Sequence, residues 1–126
     1  MSTKRITLST GILRRPKKTK FALIDIVNLN KMRSRRVTVQ VFDWSNGSPV
    51  PLKVSPCGRK ICTITIAPNK SVFLFADVSK VSFKYEVRIQ QNEDPKLITN
   101  VTGVTNTPFT PQPGDTVLQR NLVRIC

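Results

Sequence analysis

The feature that most constrains this chain is a period-two alternation of β-branched and aromatic residues. In "VSFKYEVRIQ" (81–90), Val81, Phe83, Tyr85, Val87 and Ile89 fall on one face, and Ser82, Lys84, Glu86 and Arg88 on the other. Side chains along a strand point to alternate faces, so this stretch reads as a strand with its apolar face inward and its polar face in solvent. "KFALIDIVNLN" (20–30) sets Phe21, Leu23, Asp25, Val27 and Leu29 against Ala22, Ile24, Ile26 and Asn28. "RVTVQVFDW" (36–44) sets Val37, Val39 and Val41 against Thr38, Gln40, Phe42 and Trp44. "KICTITI" (60–66) groups Cys62, Ile64 and Ile66. "SVFLFADV" (71–78) is almost continuously apolar and reads as a strand buried on both faces. "KLITNVTGVT" (96–105) and "TVLQRNLVRI" (116–125) complete the set.

Turn-forming clusters punctuate these runs: "SNGSP" (45–49), "CGRK" (57–60), "PNK" (68–70), "QNEDP" (91–95) and "TPQPGD" (110–115). Breaks spaced by about 8–12 residues, with no helical stripe, predict a sandwich or barrel rather than βαβ units. The expectation is an all-β chain: an antiparallel two-sheet sandwich, jelly-roll-like, of seven or eight strands over residues 20–126, with an extended basic N-terminal arm over residues 1–19. The 126 residues are enough to bury a core in one domain.

The arm has two readings. "ITLSTGIL" (6–13) forms a short strand with Ile6, Leu8, Thr10 and Ile12 on one face, tethered by the charged, extended "RRPKKTK" (14–20). It folds back as an ordinary edge strand, or it adds to the sheet of a neighbouring subunit.

Charge is the strongest compositional signal. The net charge is +14, and residues 1–36 carry eleven Lys/Arg against one acid, Asp25. Candidate contacts to a polyanion such as nucleic acid are Arg14, Arg15, Lys17, Lys18, Lys20, Arg33, Arg35 and Arg36. Equally, this charge reads as a solvated linker or as a dock for a neighbour's acids.

The chain contains no histidine, which removes the usual general base and the commonest metal ligand. There is no phosphate-binding glycine loop, no CxxC and no HExxH. We therefore expect a non-enzymatic protein without a catalytic site, metal or cofactor. No run of about 18 apolar residues predicts a membrane span. Residues 1–20 lack the apolar segment of a secretory signal, so synthesis in the cytoplasm is expected.

Three cysteines remain: Cys57, Cys62 and Cys126. Cys57 and Cys62 flank "GRKI" and read either as a disulfide across a hairpin or as reduced, with Cys62 in the core. Cys126, on a flexible end, then suggests a bond to another subunit or a reactive thiol, unless it pairs with Cys57 or Cys62 and leaves a different odd thiol.

"ITIAPNKSVFLFADVSKVSFKYEV" (64–87) resembles the middle of endospore appendage subunits, the spore-fibre β-sandwiches of spore-forming Bacillales. "VFDWSNGSPVPL" (41–52) and the ending "TVLQRNLVRI" are similar to small β-rich proteins of the same organisms. The resemblance implies a self-assembling subunit whose N-terminal connector reaches a neighbour and whose cysteines cross-link the stack. It also implies a place on the spore or cell surface, reached by lysis of the mother cell rather than by secretion. That family's connector carries a cysteine cluster, whereas residues 1–20 here hold none. A fibre or homo-oligomer is thus one reading. A capsid-type or nucleic-acid-binding protein gripping phosphate with its arm is the other, and a monomeric carbohydrate- or protein-binding sandwich is a third.

Overall fold

The computed structural model describes residues 4–105 and 111–126, and over these it is an antiparallel two-sheet β-sandwich. Eight strands have five residues or more: β1 (Arg5–Ser9), β3 (Phe21–Asn28), β4 (Arg35–Asp43), β6 (Cys62–Ile66), β7 (Lys70–Asp77), β8 (Lys84–Asn92), β9 (Leu97–Val104) and β10 (Pro111–Val117). Three shorter segments, β2 (Leu13–Arg14), β5 (Val50–Leu52) and β11 (Val123–Arg124), extend the sheets. The seven-stranded sheet runs β11-β1-β8-β4-β5, with β2 following β1 along β8 and β6 sharing β4 with β5. The four-stranded sheet runs β10-β9-β3-β7.

The core forms largely where the alternation predicts it, except that Phe83, read as inward, is 60% exposed because it precedes β8. Ile24 and Ile26 of β3, Val37, Val39 and Val41 of β4, Leu74 of β7, Tyr85, Val87 and Ile89 of β8, and Leu97 and Val101 of β9 pack as one cluster. Each comes from an inward position of a period-two strand, so both sheets contribute one apolar face to the same interior.

Four expectations change. The N-terminal segment takes the fold-back reading, but as an inner strand rather than an edge strand. Arg5 to Ser9 pair with Asn92 to Arg88 of β8, while Leu8 and Ser9 also pair with Arg124 and Val123. The reason is apolar burial: Ile6 and Leu8 are covered, and Gly11, at φ +67°, then turns the chain into β2. Second, β7 is not buried on both faces. Leu74 and Ala76 point inward, whereas Phe73 is 53% exposed, because nothing covers the outside of the four-stranded sheet among the described residues. Third, "TPQPGD" is strand rather than turn from Pro111 onward, pairing irregularly with β9, while Thr110 lies outside the described residues. Fourth, "TVLQRNLVRI" is broken by a single 3₁₀ turn at Gln119–Asn121, which moves the chain from the edge of one sheet to the edge of the other.

No helix is long and apolar enough to cross a membrane among the described residues.

Candidate functional site

The eight cations that the sequence groups together are divided by the fold. Arg14, Arg15, Lys17, Lys18 and Lys20 lie at the end of the sandwich where the chain enters β3. Arg33, Arg35 and Arg36 lie at the opposite end, where the chain leaves β3 for β4. The eight residues of β3 stand between them, about 25 Å at the usual rise per strand residue. They do not make one patch.

Two of these cations already hold the protein together. Arg15 donates from Nε to the Thr19 carbonyl at 2.9 Å, closing the loop before β3. Arg35 pairs with Asp94 through Nε at 2.9 Å. Asp94 also accepts from the Asn30 side chain and the Lys96 N–H, at 2.8 and 2.9 Å. Burial alone would raise the Asp94 carboxyl; the hydrogen bonds from Asn30, Lys96 and Arg35, with the Arg35 charge, outweigh it and hold it below its ordinary range. Arg14, Lys17, Lys18, Lys20, Arg33 and Arg36 remain exposed. The sequence reading omitted Lys31, which shares the β3–β4 loop with Arg33, and Arg5, whose guanidinium donates to the Arg36 carbonyl at 2.7 Å.

Cys57 and Cys62 form a disulfide, with Cα atoms 5.4 Å apart. The turn itself lies earlier than "CGRK", between the bridged residues Val54 and Arg59. The disulfide ties this excursion to the start of β6 and leaves Arg59, Lys60 and Ile61 exposed beside an open concavity of about 690 Å³. Cys126 is free and exposed. Its backbone is not loose, contrary to the flexible end expected: Thr7 N–H donates to the Cys126 carbonyl at 3.0 Å, and Ile125 N–H donates to the Thr7 carbonyl at 2.8 Å. The neighbouring Val123 and Ile125 are 59% and 48% exposed.

The four residues read as a connector strand separate. Ile6 and Leu8 are buried in β1. Thr10 lies past the strand, and its hydroxyl accepts the Val87 N–H at 3.0 Å. Ile12 is 49% exposed.

The outer faces of the two sheets differ most. On the seven-stranded sheet, Glu86 was expected in solvent but is buried. Trp44 Nε1 donates to one carboxylate oxygen at 2.8 Å, and Arg88 Nε (3.0 Å) and the Ser9 hydroxyl donate to the other. The Arg88 guanidinium lies 4.9 Å over the ring of Phe42, the cross-strand partner of Glu86 on β4. Burial pushes the Glu86 carboxyl up, and the Arg88, Ser9 and Trp44 hydrogen bonds with the Arg88 charge bring it below its ordinary value. No periodicity signals this network, since its members come from β1, β8 and the end of β4.

On the four-stranded sheet, the outward positions are largely apolar. Phe21, Leu23 and Val27 of β3 stand beside Phe73 and Phe75 of β7 and Ile98 of β9. Phe21 meets Phe75 edge-on at 5.5 Å, and Phe73 stacks with Phe75 at 6.3 Å. Asp25 sits in the middle, opposite Phe73 on one side and Asn100 on the other. No cation or hydrogen-bond donor among the described residues reaches its carboxylate, and burial pushes that carboxyl above its ordinary value. Beside it a concavity of about 260 Å³ is lined by Asp25, Val27, Ser71, Ile98 and Asn100, among others. The sequence signal was an acid inside an apolar run, "LIDIV", next to the all-apolar "VFLFA".

Among the described residues, no three His, Cys, Asp or Glu side chains converge as a metal site. No family model matches this chain, and no curated protein matches it. Among solved structures it is similar to Thermotoga maritima 1070, with a TM-score of 0.48 and 14% identity over 94% of each chain.

Proposed function

We propose that this protein is a non-enzymatic structural subunit that self-associates into an oligomer or fibre on a spore or cell surface. The observation that carries this reading is the open edge of the seven-stranded sheet. Strand β11 is the outermost position of that sheet, and it presents exposed Val123 and Ile125 beside the free thiol of Cys126. An uncovered edge offers unpaired backbone groups to another strand, and adjacent apolar side chains add contact area. Because β1 fills its own sheet between β8 and β11, a neighbour meets β11 rather than a vacant β1 position. Two Cys126 thiols then join with loss of two protons and two electrons to an oxidant such as molecular oxygen.

Negative-stain microscopy and non-reducing gels, with and without reductant, test this reading. Assemblies are expected, and the covalent species disappear in Cys126→Ser. A protein that stays monomeric at all concentrations, oxidised or reduced, overturns it.

A second reading, phosphate-backbone binding to nucleic acid, is favoured by the exposed cations at both ends of the sandwich. Affinity for duplex DNA is then expected to fall steeply between about 50 and 200 mM salt, as counterion release requires. A binding curve that is flat across that range removes it.

A further inference from the structure

The outer face of the four-stranded sheet is an apolar surface with one charge at its centre. Phe73 is 53% exposed there, and Asp25 lies in a shallow concavity with Val27, Ile98 and Asn100. Among the described residues, another acid at this face, Asp77, is at its rim, where Ser79 hydrogen-bonds it and Lys20 and Lys80 lie near. Asp25 has no such company among the described residues. A ligand for this face must bring apolar contact and a cation to the same point. Two copies meeting face to face about a two-fold axis at Asp25 would set Asp25 against Asp25, which like charges oppose. A complement from a different, basic surface has no such conflict.

The chain carries such a surface. Met32 is 90% exposed and is flanked in sequence by the exposed Lys31 and Arg33. The loop that holds it is fixed from inside. Fully buried Asn28 donates to the carbonyls of Arg33 and Ile66 at 2.8 and 3.1 Å and accepts from the Asn30 N–H at 3.0 Å. Asn30 in turn binds Asp94, and Asn69 N–H donates to the Asn30 carbonyl. An ordered loop holding an unbranched, adaptable side chain between two cations is preorganised to meet a shallow concavity in which Val27 and Ile98 stand beside a carboxylate.

We propose that the Lys31-Met32-Arg33 tip of one copy docks on the Asp25 face of a second copy. This rests on the self-association reading and adds to the β11 edge a second, head-to-tail contact. The contact is heterologous, so it propagates into an open chain or closes into a ring rather than stopping at a dimer.

The test uses the full chain in a Cys126→Ser background, so that no covalent link through that thiol masks a weak contact. Sedimentation velocity is measured over a concentration series. Two variants are compared, Asp25→Lys and the double change Lys31→Asp/Arg33→Asp, all at exposed positions. Each alone is expected to weaken association roughly tenfold or more, since each places like charges across the contact. Mixed together they are expected to associate again, because each supplies a surface complementary to the other's altered one. Circular dichroism confirms that each variant is folded, and Met32→Asp serves as a further variant with the same expected loss. If the parent associates and the variants associate equally well, or if the mixture fails to recover, this docking mode is overturned while self-association stands. If the parent is monomeric throughout and Cys126 forms no intermolecular disulfide in the unmutated chain, both are overturned, and the face belongs to some other partner.

Discussion

Two carboxylates sit on the outer faces of the two sheets, and they have opposite fates. Glu86 is covered, and its two oxygens receive hydrogen bonds from Trp44, Arg88 and Ser9. Asp25 is half surrounded by apolar side chains and receives none among the described residues. Both are outward positions of strands, and both lose part of their hydration. The protein compensates that loss for Glu86 from within itself, so the group is part of the fold. For Asp25 no described residue supplies that compensation, and its exposed carboxylate keeps its contact with solvent. An acid that the fold has not paired is open to a cation from another molecule, whereas a satisfied one is not.

The largest expected effect on this contrast is at Glu86. Glu86→Ala leaves the Arg88 guanidinium, the Trp44 N–H and the Ser9 hydroxyl without their acceptor, and is expected to destabilise by about 2–3 kcal/mol in urea unfolding. A loss under about 0.5 kcal/mol would mean the network is incidental. Trp44→Phe removes one donor and keeps most of the ring, so a loss of about 1 kcal/mol is expected by the same measurement.

The pH dependence separates the two acids by sign. The Glu86 carboxyl is depressed in the fold, so its contribution is present above the ordinary glutamate value of 4.5 and is lost as pH falls through the lower, folded value. Glu86→Gln should therefore flatten the acid limb of the stability curve. The Asp25 carboxyl is raised, so the fold is favoured below the ordinary value of 3.8, and that advantage is lost as pH rises through the higher, folded value. Asp25→Asn should leave stability at pH 3 unchanged and increase it at pH 7. The gain at pH 7 is the smallest effect, under about 1 kcal/mol because the group is partly solvated. A loss of stability at pH 7 would show that Asp25 has an internal partner after all and would erase the comparison.

Much of the sandwich was legible because its information is local. The inward sets of β3, β4 and, from Tyr85 onward, β8 follow from alternation, and Ala22, Ile24 and Ile26 are all buried as that pattern implies. The misreadings came where one strand's environment depends on another element. "SVFLFADV" looks the same whether its second face is covered by a layer of protein or left open, so Phe73 was misassigned. Glu86 was assigned to solvent because Trp44 and Ser9, which cover it, are 42 and 77 residues away. The eight cations looked like one group because sequence distance carries no information about which end of an eight-residue strand a group occupies.

By itself the sequence determined the all-β class, the inward faces of the main strands, the excess of positive charge and the supply of three thiols. Those are properties of single segments or of composition, and alternation and Coulomb's law read them directly. Only the tertiary structure decided that β1 lies inside the sheet, that Cys57 meets Cys62 and leaves Cys126 free, and that Asp25 has no partner among the described residues. Each of these depends on which distant segments come together, and that is settled by the burial of the whole chain at once rather than by any stretch of it.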